Sequence, residues 1–221
     1  MGNPIAVATP APVLVTGSEG RLGRAFLLRL SPLGDCIGVD QGDLDIADER
    51  ATAHFVRSLR PRLILNCAAY DAVDGAEAAP LDALRTNAAT VSTLVGLAAD
   101  LDAVLVHYGS DFVFDGEGPE PYREDDEPRP RSMYGMSKLV GERCAMTASR
   151  LYVVRVSSLW GGHTQRSFVD AIIRQARAGQ RVAAFDDRTV SPSCVPDVVD
   201  ATLALVAGRA AHGLYHCASD G

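Results

Sequence analysis

Short unbroken apolar runs alternate along this chain with longer stretches in which apolar residues recur at helical spacing. "PVLVT", "CIGVD", "RLILNCAA", "DAVLVHYGS" and "LYVVRVSS" have the continuous apolar, β-rich character of strands buried on both faces. Between them, "RLGRAFLLRL", "ADERATAHFVRSLR" and "PLDALRTNAATVSTLVGLAADL" repeat their apolar residues at helical intervals. A further helix is expected from about Ser132, after a loop at 115–131 rich in proline, glycine and acids. A weaker βα alternation continues to Gly208. Strands flanked by helices on both sides predict an α/β fold, a doubly wound parallel sheet. Ligands of such sheets sit beyond the C-terminal ends of the strands. The chemistry is therefore expected near residues 16–23, Asp40, 67–70, 109–112 and 157–161.

The 221 residues suffice for one sizeable core and at most two lobes. The net charge of −7, with no cluster of Lys and Arg, argues against nucleic acid as a partner. Five cysteines are scattered and never form CxxC, so reduced thiols in the cytoplasm are expected, not a disulfide framework or a zinc site. No metal-binding pattern such as HExxH occurs among the histidines, and no metal site is expected. His107, inside a strand, reads as a satisfied core residue. No apolar run is long enough to span a bilayer, so no membrane role is expected. The opening "MGNPIAVATPAP" lacks the basic and apolar regions of a signal peptide, and residues 1–11 are expected to be a disordered tail.

"VLVTGSEGRLGRAF" places Gly17, Gly20 and Gly23 between a strand and an amphipathic helix. A GxxGxxG turn of this kind lets backbone approach a pyrophosphate and lets helix pack on strand, while the free N–H groups of the helix attract phosphate. Glu19, Arg21 and Leu22 belong to the same turn, and Arg21 could reach a phosphate. Asp40 ends the second strand about twenty residues further on, where an acid accepts hydrogen bonds from an adenosine ribose. It would repel a 2′-phosphate, and no basic residue follows it directly, so NAD(H) is favoured and NADP(H) stays open. Asp45 is a candidate for the adenine amino group or, alternatively, a helix N-cap.

In "SMYGMSKLVGERC", Tyr134 and Lys138 are four residues apart and share a helix face. A nearby ammonium lowers the pKa of a phenol, which makes Tyr134 a candidate general acid near neutral pH. Lys138 could also bond a nicotinamide ribose. Ser110 and Asp111 follow the strand "AVLVHY", where the Ser110 hydroxyl could bond the same carbonyl oxygen as Tyr134 and Asp111 could bind a sugar hydroxyl.

These residues resemble the extended short-chain dehydrogenase/reductase family, and within it the dTDP-4-dehydrorhamnose reductases (RmlD-like). The likeness runs from Val13 to about Ser219. It rests on "VLVTGSEGRLGR", "LRPRLILNCAAYDAVDGAE", "TNAATVSTL", "SDFVFDGEGPEPYREDDEPRPRSMYGMSKLVGE" and "FVDAIIRQARAGQRVAAFDDRTVSPSCVPDVVDATLAL", in that order. The resemblance implies a Rossmann-like NAD(P)-binding fold and a catalytic set of Ser110, Tyr134 and Lys138 with Asp111 beside it. It implies cofactor contacts from the glycine turn, Asp40, Ala68, Ala69, Tyr70 and Asn87, and a sugar contact from Val73. Phe112 stands where the family has Tyr. Ser158 stands where the family has a substrate-facing Trp, and Trp160 lies two residues on. The family also continues beyond "GLYHCASDG". The expected organisation is a dinucleotide-binding domain at 12–160 and a partial, truncated substrate-binding region at 161–221.

The implied reaction is hydride transfer from NAD(P)H to the 4-keto group of a dTDP-deoxysugar, in dTDP-rhamnose biosynthesis, by a cytoplasmic enzyme. The partner is a small nucleotide sugar, and a homodimer stays open. Two alternatives remain: a nucleotide-sugar epimerase on the same scaffold, and a dinucleotide-binding regulatory subunit without catalysis. Dehydration ranks low, because Phe112 cannot move protons.

Overall fold

The structure is a computed structural model and describes residues 12–118, 120–162, 167–183 and 189–219. The five apolar runs become strands β1 (Val13–Thr16), β2 (Cys36–Val39), β3 (Leu63–Asn66), β4 (Val104–Ser110) and β5 (Leu151–Val156). A sixth strand, β6 (Gly213–His216), follows beyond the reach of the sequence pattern. All pairings are parallel, in the order β2-β1-β3-β4-β5-β6. The chain leaves β1 for β2 on one side and returns to β3 on the other. The sheet therefore has its topological switch point between the C-terminal ends of β1 and β3, where a crevice must open.

Strand side chains alternate between two faces, and the core divides accordingly. Val13, Val15, Leu63, Leu65, Val106, Tyr108, Tyr152 and Val154 face helices α1 (Arg21–Leu30) and α8 (Val195–Ala207), where Phe26 and Leu203 are buried. Leu14, Ile64, Leu105, Leu151 and Val153 face the opposite layer: α2 (Glu49–Leu59), α5 (Thr90–Leu101) and α6 (Met133–Ala145). Local chemistry fixes where these helices start. Asp48 caps α2 by accepting the Ala51 N–H at 3.0 Å, and Ser132 caps α6 by accepting the Gly135 N–H at 3.0 Å. Asp45, whose alternative reading is such a cap, is not the cap of α2.

Two departures from the expected layout concern elements near the site. The stretch read as one long helix is three pieces: α4 (Pro80–Leu84), a π-helical turn (Arg85–Ala89) and α5. A short helix α3 (Val73–Ala78) precedes them. The expected boundary at 160 does not coincide with an edge of the sheet or of its core. β6 pairs with β5 in the same sheet, and Val195, Val198, Val199 and Leu203 of α8 belong to the same core as β1 and α1. Among the described helices and strands of the expected second region, α7 (Phe168–Arg177) stands apart, with no buried residue. The expected tail at 1–11 lies outside the described residues. Among the described residues no helix is long and apolar enough to cross a membrane.

Candidate active site

A cleft of about 1040 Å³ opens at the switch point. Its lining begins with Thr16 and the glycine turn, passes Val39 to Asp40 at the end of β2 and Asn66 to Asp71 at the end of β3, and reaches Tyr134 and Lys138 on α6. Gly17 has φ +64°, and a Cβ there would stand 2.7 Å from the backbone of Ala68. The turn can be that tight only with glycine. Gly20 caps α1 without any side-chain bond, so the first N–H groups of the helix are left to an incoming anion. Asp40 is tied to the turn: its Oδ2 accepts the Glu19 N–H at 2.9 Å and its Oδ1 the Gln41 N–H at 2.8 Å. These residues fit a dinucleotide, with a close backbone turn for the pyrophosphate and an oriented carboxylate at the end of β2.

Other expected contacts are distributed unevenly. Glu19, Arg21, Leu22, Asp45, Ala68, Ala69 and Tyr70 line the cleft. Leu22 is also a core residue of the first layer. Arg21 points its guanidinium at the carbonyl of Leu159, in the segment after β5, so its charge is already engaged. Asn87 is 1 % exposed and lies behind the wall, outside the cleft lining. Its amide instead accepts the Tyr70 N–H at 2.9 Å, donates to the Tyr70 carbonyl at 3.1 Å and donates to Ser137 Oγ at 2.9 Å. The π-helical turn projects this side chain, and it joins the loop after β3 to α6. Gly141 makes the approach feasible, because a Cβ there would collide with the Asn87 carbonyl.

The cleft floor contains a buried polar chain that the sequence reading missed. Thr16 Oγ1 donates to Asn66 Oδ1 at 2.7 Å and accepts the Ala68 N–H at 3.3 Å. The Asn66 amide nitrogen therefore faces His107, 3.2 Å from Nδ1. Nδ1 accepts and the ring proton resides on Nε2, which is buried without a partner among the described residues. His107 is thus not the satisfied core residue expected. Burial first, and the charge of Lys138 second, hold its pKa well below the ordinary value, and the ring is neutral. The signal was present in the sequence: two polar residues, Asn66 and His107, interrupt otherwise apolar strands in equivalent register.

Tyr134 and Lys138 occupy one face of α6, as their spacing requires. Lys138 is 4 % exposed, and its Nζ donates to the Tyr108 carbonyl at 2.6 Å. Burial depresses its pKa to about 8, with Glu142 and Cys67 acting in the opposite direction. The phenol departs from the expectation. Its pKa is raised rather than lowered, mainly by burial, with a hydrogen bond to Ser110 pulling it back and Asp111 and Asp71 adding to the rise. The dominant influence is loss of water, not the ammonium one turn away. Phe112 packs its ring edge-to-face on Tyr134 at 5.4 Å.

Ser110 and Asp111 stand beside the cleft mouth. Ser110 Oγ donates to Asp111 Oδ1 at 3.2 Å, and Ser157 Oγ donates to Asp111 Oδ2 at 2.6 Å. A proton donor and two hydroxyls thus converge on one rim, at the ends of β4 and β5. Val73, Ser158 and Trp160 are outside the cleft lining. Val73 begins α3 and Ser158 is exposed at φ +43°. Trp160 forms a parallel bridge with Cys194.

The RmlD substrate binding domain model matches residues 11–221. A dTDP-4-dehydrorhamnose reductase of Streptomyces griseus is 36 % identical over 215 residues, covering 94 % of this chain and 70 % of the relative. The crystal structure of a Bacillus anthracis dTDP-4-dehydrorhamnose reductase in complex with NADP superposes with a TM-score of 0.90 at 30 % identity. It covers 97 % of this chain and 76 % of that one. A Clostridium acetobutylicum dTDP-4-dehydrorhamnose reductase gives 0.89 at 32 % identity, covering 95 % of this chain and 75 % of that one.

Proposed function

The chain belongs to the RmlD substrate binding domain family, and from that premise we propose that it is an NAD(P)-dependent 4-ketoreductase of a dTDP-linked deoxysugar. The observation that carries the reading is that Tyr134 and Lys138 line the far end of a cleft that starts at the glycine turn, with Ser110 hydrogen-bonded to Tyr134 just outside that lining. The dinucleotide, when bound, supplies the hydride. The chain's own residues do the rest. The raised pKa of Tyr134 keeps its phenol protonated at neutral pH, which is the state a general acid needs. Tyr134 would give that proton to the C4 oxygen as hydride reaches C4, so that the ketone becomes an alcohol and the phenol is left a phenolate, to be reprotonated from solvent. Ser110 would turn its one proton from Asp111 Oδ1 to the same oxygen, and Asp111, still held by Ser157, takes a sugar hydroxyl. Lys138 supplies positive charge beside the proton donor. The Gly17–Gly23 turn and the α1 N-terminus hold the pyrophosphate.

We read NAD(H) as the preferred form. The Asp40 carboxylate is pinned by the backbone N–H groups of Glu19 and Gln41, and it cannot swing away from a 2′-phosphate without losing both bonds. Calorimetric titration with NADH and NADPH tests this, and tighter binding of NADPH would reverse it.

The experiment for the activity is oxidation of NADH or NADPH in the presence of dTDP-4-dehydrorhamnose. Tyr134→Phe is expected to lower turnover by about 10²–10⁴-fold while the dissociation constant of the cofactor changes little. Full activity in that variant would remove Tyr134 as the acid. Tight cofactor binding with no reduction of any nucleotide 4-ketosugar by the unaltered protein would leave a binding subunit in place of an enzyme.

A further inference from the structure

Glu142 is a carboxylate with 1 % exposure, in the last turn of the helix that carries Tyr134 and Lys138. We propose that Glu142, clamped by Arg155, is a positioning residue for the ketoreduction. Its buried negative charge keeps Lys138 an ammonium. The proposal rests on the reading above, in which Tyr134 and Lys138 carry the reaction.

The geometry begins with spacing. Residues 134, 138 and 142 are four apart, so the three side chains stack on one face, each about 6 Å further along the axis. That face is pressed against β4. Arg155 of β5 holds the carboxylate with Nε 3.2 and 3.1 Å from its two oxygens and Nη2 at 2.9 Å from Oε2. The guanidinium is itself fixed, with its carbon 4.9 Å over the ring of Phe114 and Nη1 3.3 Å from His216 Nε2. The pair is shut away from water at 1 % and 6 % exposure. A buried ion pair gives little net stability over apolar residues of the same volume. Packing alone thus gives no reason for charge at this place. A neighbouring ammonium without water does.

Lys138 has an ammonium with three donors and makes one bond, to Tyr108, inside a wall that disfavours its charge. The charged and titratable groups that act on it or feel it are Glu142 on α6, Cys67 just after β3, and His107 on β4. Behind Glu142 stand Arg155 on β5 and His216 on β6, and the His216 N–H reaches Glu124 at 2.9 Å. Burial drives Lys138 towards the neutral amine, and Glu142 is the leading opposing influence. Arg155 sets how much of that influence Lys138 receives, because it shares the same carboxylate.

Lys138 is the only lysine of the chain, so lysine labelled with ¹³C at Cε gives a single side-chain resonance whose pH titration reports this group directly. The midpoint in the unaltered protein is expected at about 8. Glu142→Gln should move it to lower pH by about one unit or more. Arg155→Gln should move it to higher pH, since the carboxylate is then no longer shared. The alkaline limb of kcat/KM should follow both displacements. A purely structural role would not send the two variants in opposite directions. Midpoints that stay put, or move the same way, overturn the proposal, whatever the activity. If Glu142→Gln does not fold, Arg155→Gln decides alone: an alkaline displacement supports the coupling and its absence removes it. Opposite displacements in a protein that reduces no nucleotide sugar retain the electrostatic coupling and overturn the proposed function instead.

Discussion

Lys138 brings an ammonium into a wall formed by Tyr108, Cys67 and His107, and its pKa falls from 10.5 to about 8 as a result. The unfolded chain therefore holds a proton on this group up to higher pH than the folded chain does. Stability from this group is lowest below pH 8 and recovers as pH rises through 8 towards 10.5. A substitution that removes the charge should abolish this pH dependence. Lys138→Met is expected to be more stable than the parent at pH 7, by about 1–3 kcal/mol after loss of one hydrogen bond. The gain should vanish near pH 10.5. Urea unfolding at pH 7 and pH 10 measures both, and an equal difference at the two values would contradict the assignment. The lysine and the tyrosine were legible from their spacing. The direction of the Tyr134 shift was not, because burial depends on what packs above the phenol, and no residue of "SMYGMSKLVGERC" reports that. Glu142 was passed over because a glutamate in a helix usually faces water. The lone arginine inside "LYVVRVSS" was the available clue: a charge in a strand buried on both faces must have a buried partner.

The helices around the site owe their positions to short irregular pieces. The π-helical turn at Arg85–Ala89 lets Asn87 reach across to Tyr70 and Ser137, and α6 lies against it at Gly141. Gly141→Ala is expected to push α6 off the turn and destabilise the protein by about 1–3 kcal/mol. The shift should also move Tyr134 and Lys138, so kcat should fall at temperatures where the variant remains folded. Thermal unfolding and turnover of the same sample separate the two effects, and a silent substitution would refute the close approach. The strands were readable because apolar runs between helices admit few other arrangements. The π-turn was not, since Arg, Thr, Asn and Ala continue a helix as well as they widen one. β6 was missed because its four residues follow a helix with no alternation of their own.

The described residues are built on one sheet between two helical layers, and β6 near their end is part of that sheet. Leu203, 1 % exposed in α8, packs with α1 and β1, whereas Ile173 in α7 is 42 % exposed. Leu203→Ala is expected to cost about 2–5 kcal/mol and Ile173→Ala about 0.5 kcal/mol or less. Equilibrium urea unfolding compares them, and equal losses would restore a boundary at 160. A boundary placed there by family likeness could not reveal that β6 returns to pair with β5, because pairing between distant segments leaves no local mark.

Trp160 is the chain's single indole. The peptide group just before it takes the Arg21 guanidinium at the edge of the cleft, so the residue is wired to the turn that begins α1. This gives the protein a single indole emitter, separable from its six tyrosines by excitation on the long-wavelength edge of indole absorption. Reduced nicotinamide absorbs where indole emits, and quenching with sensitised nicotinamide emission would read occupancy of the cleft in real time, with no dye attached.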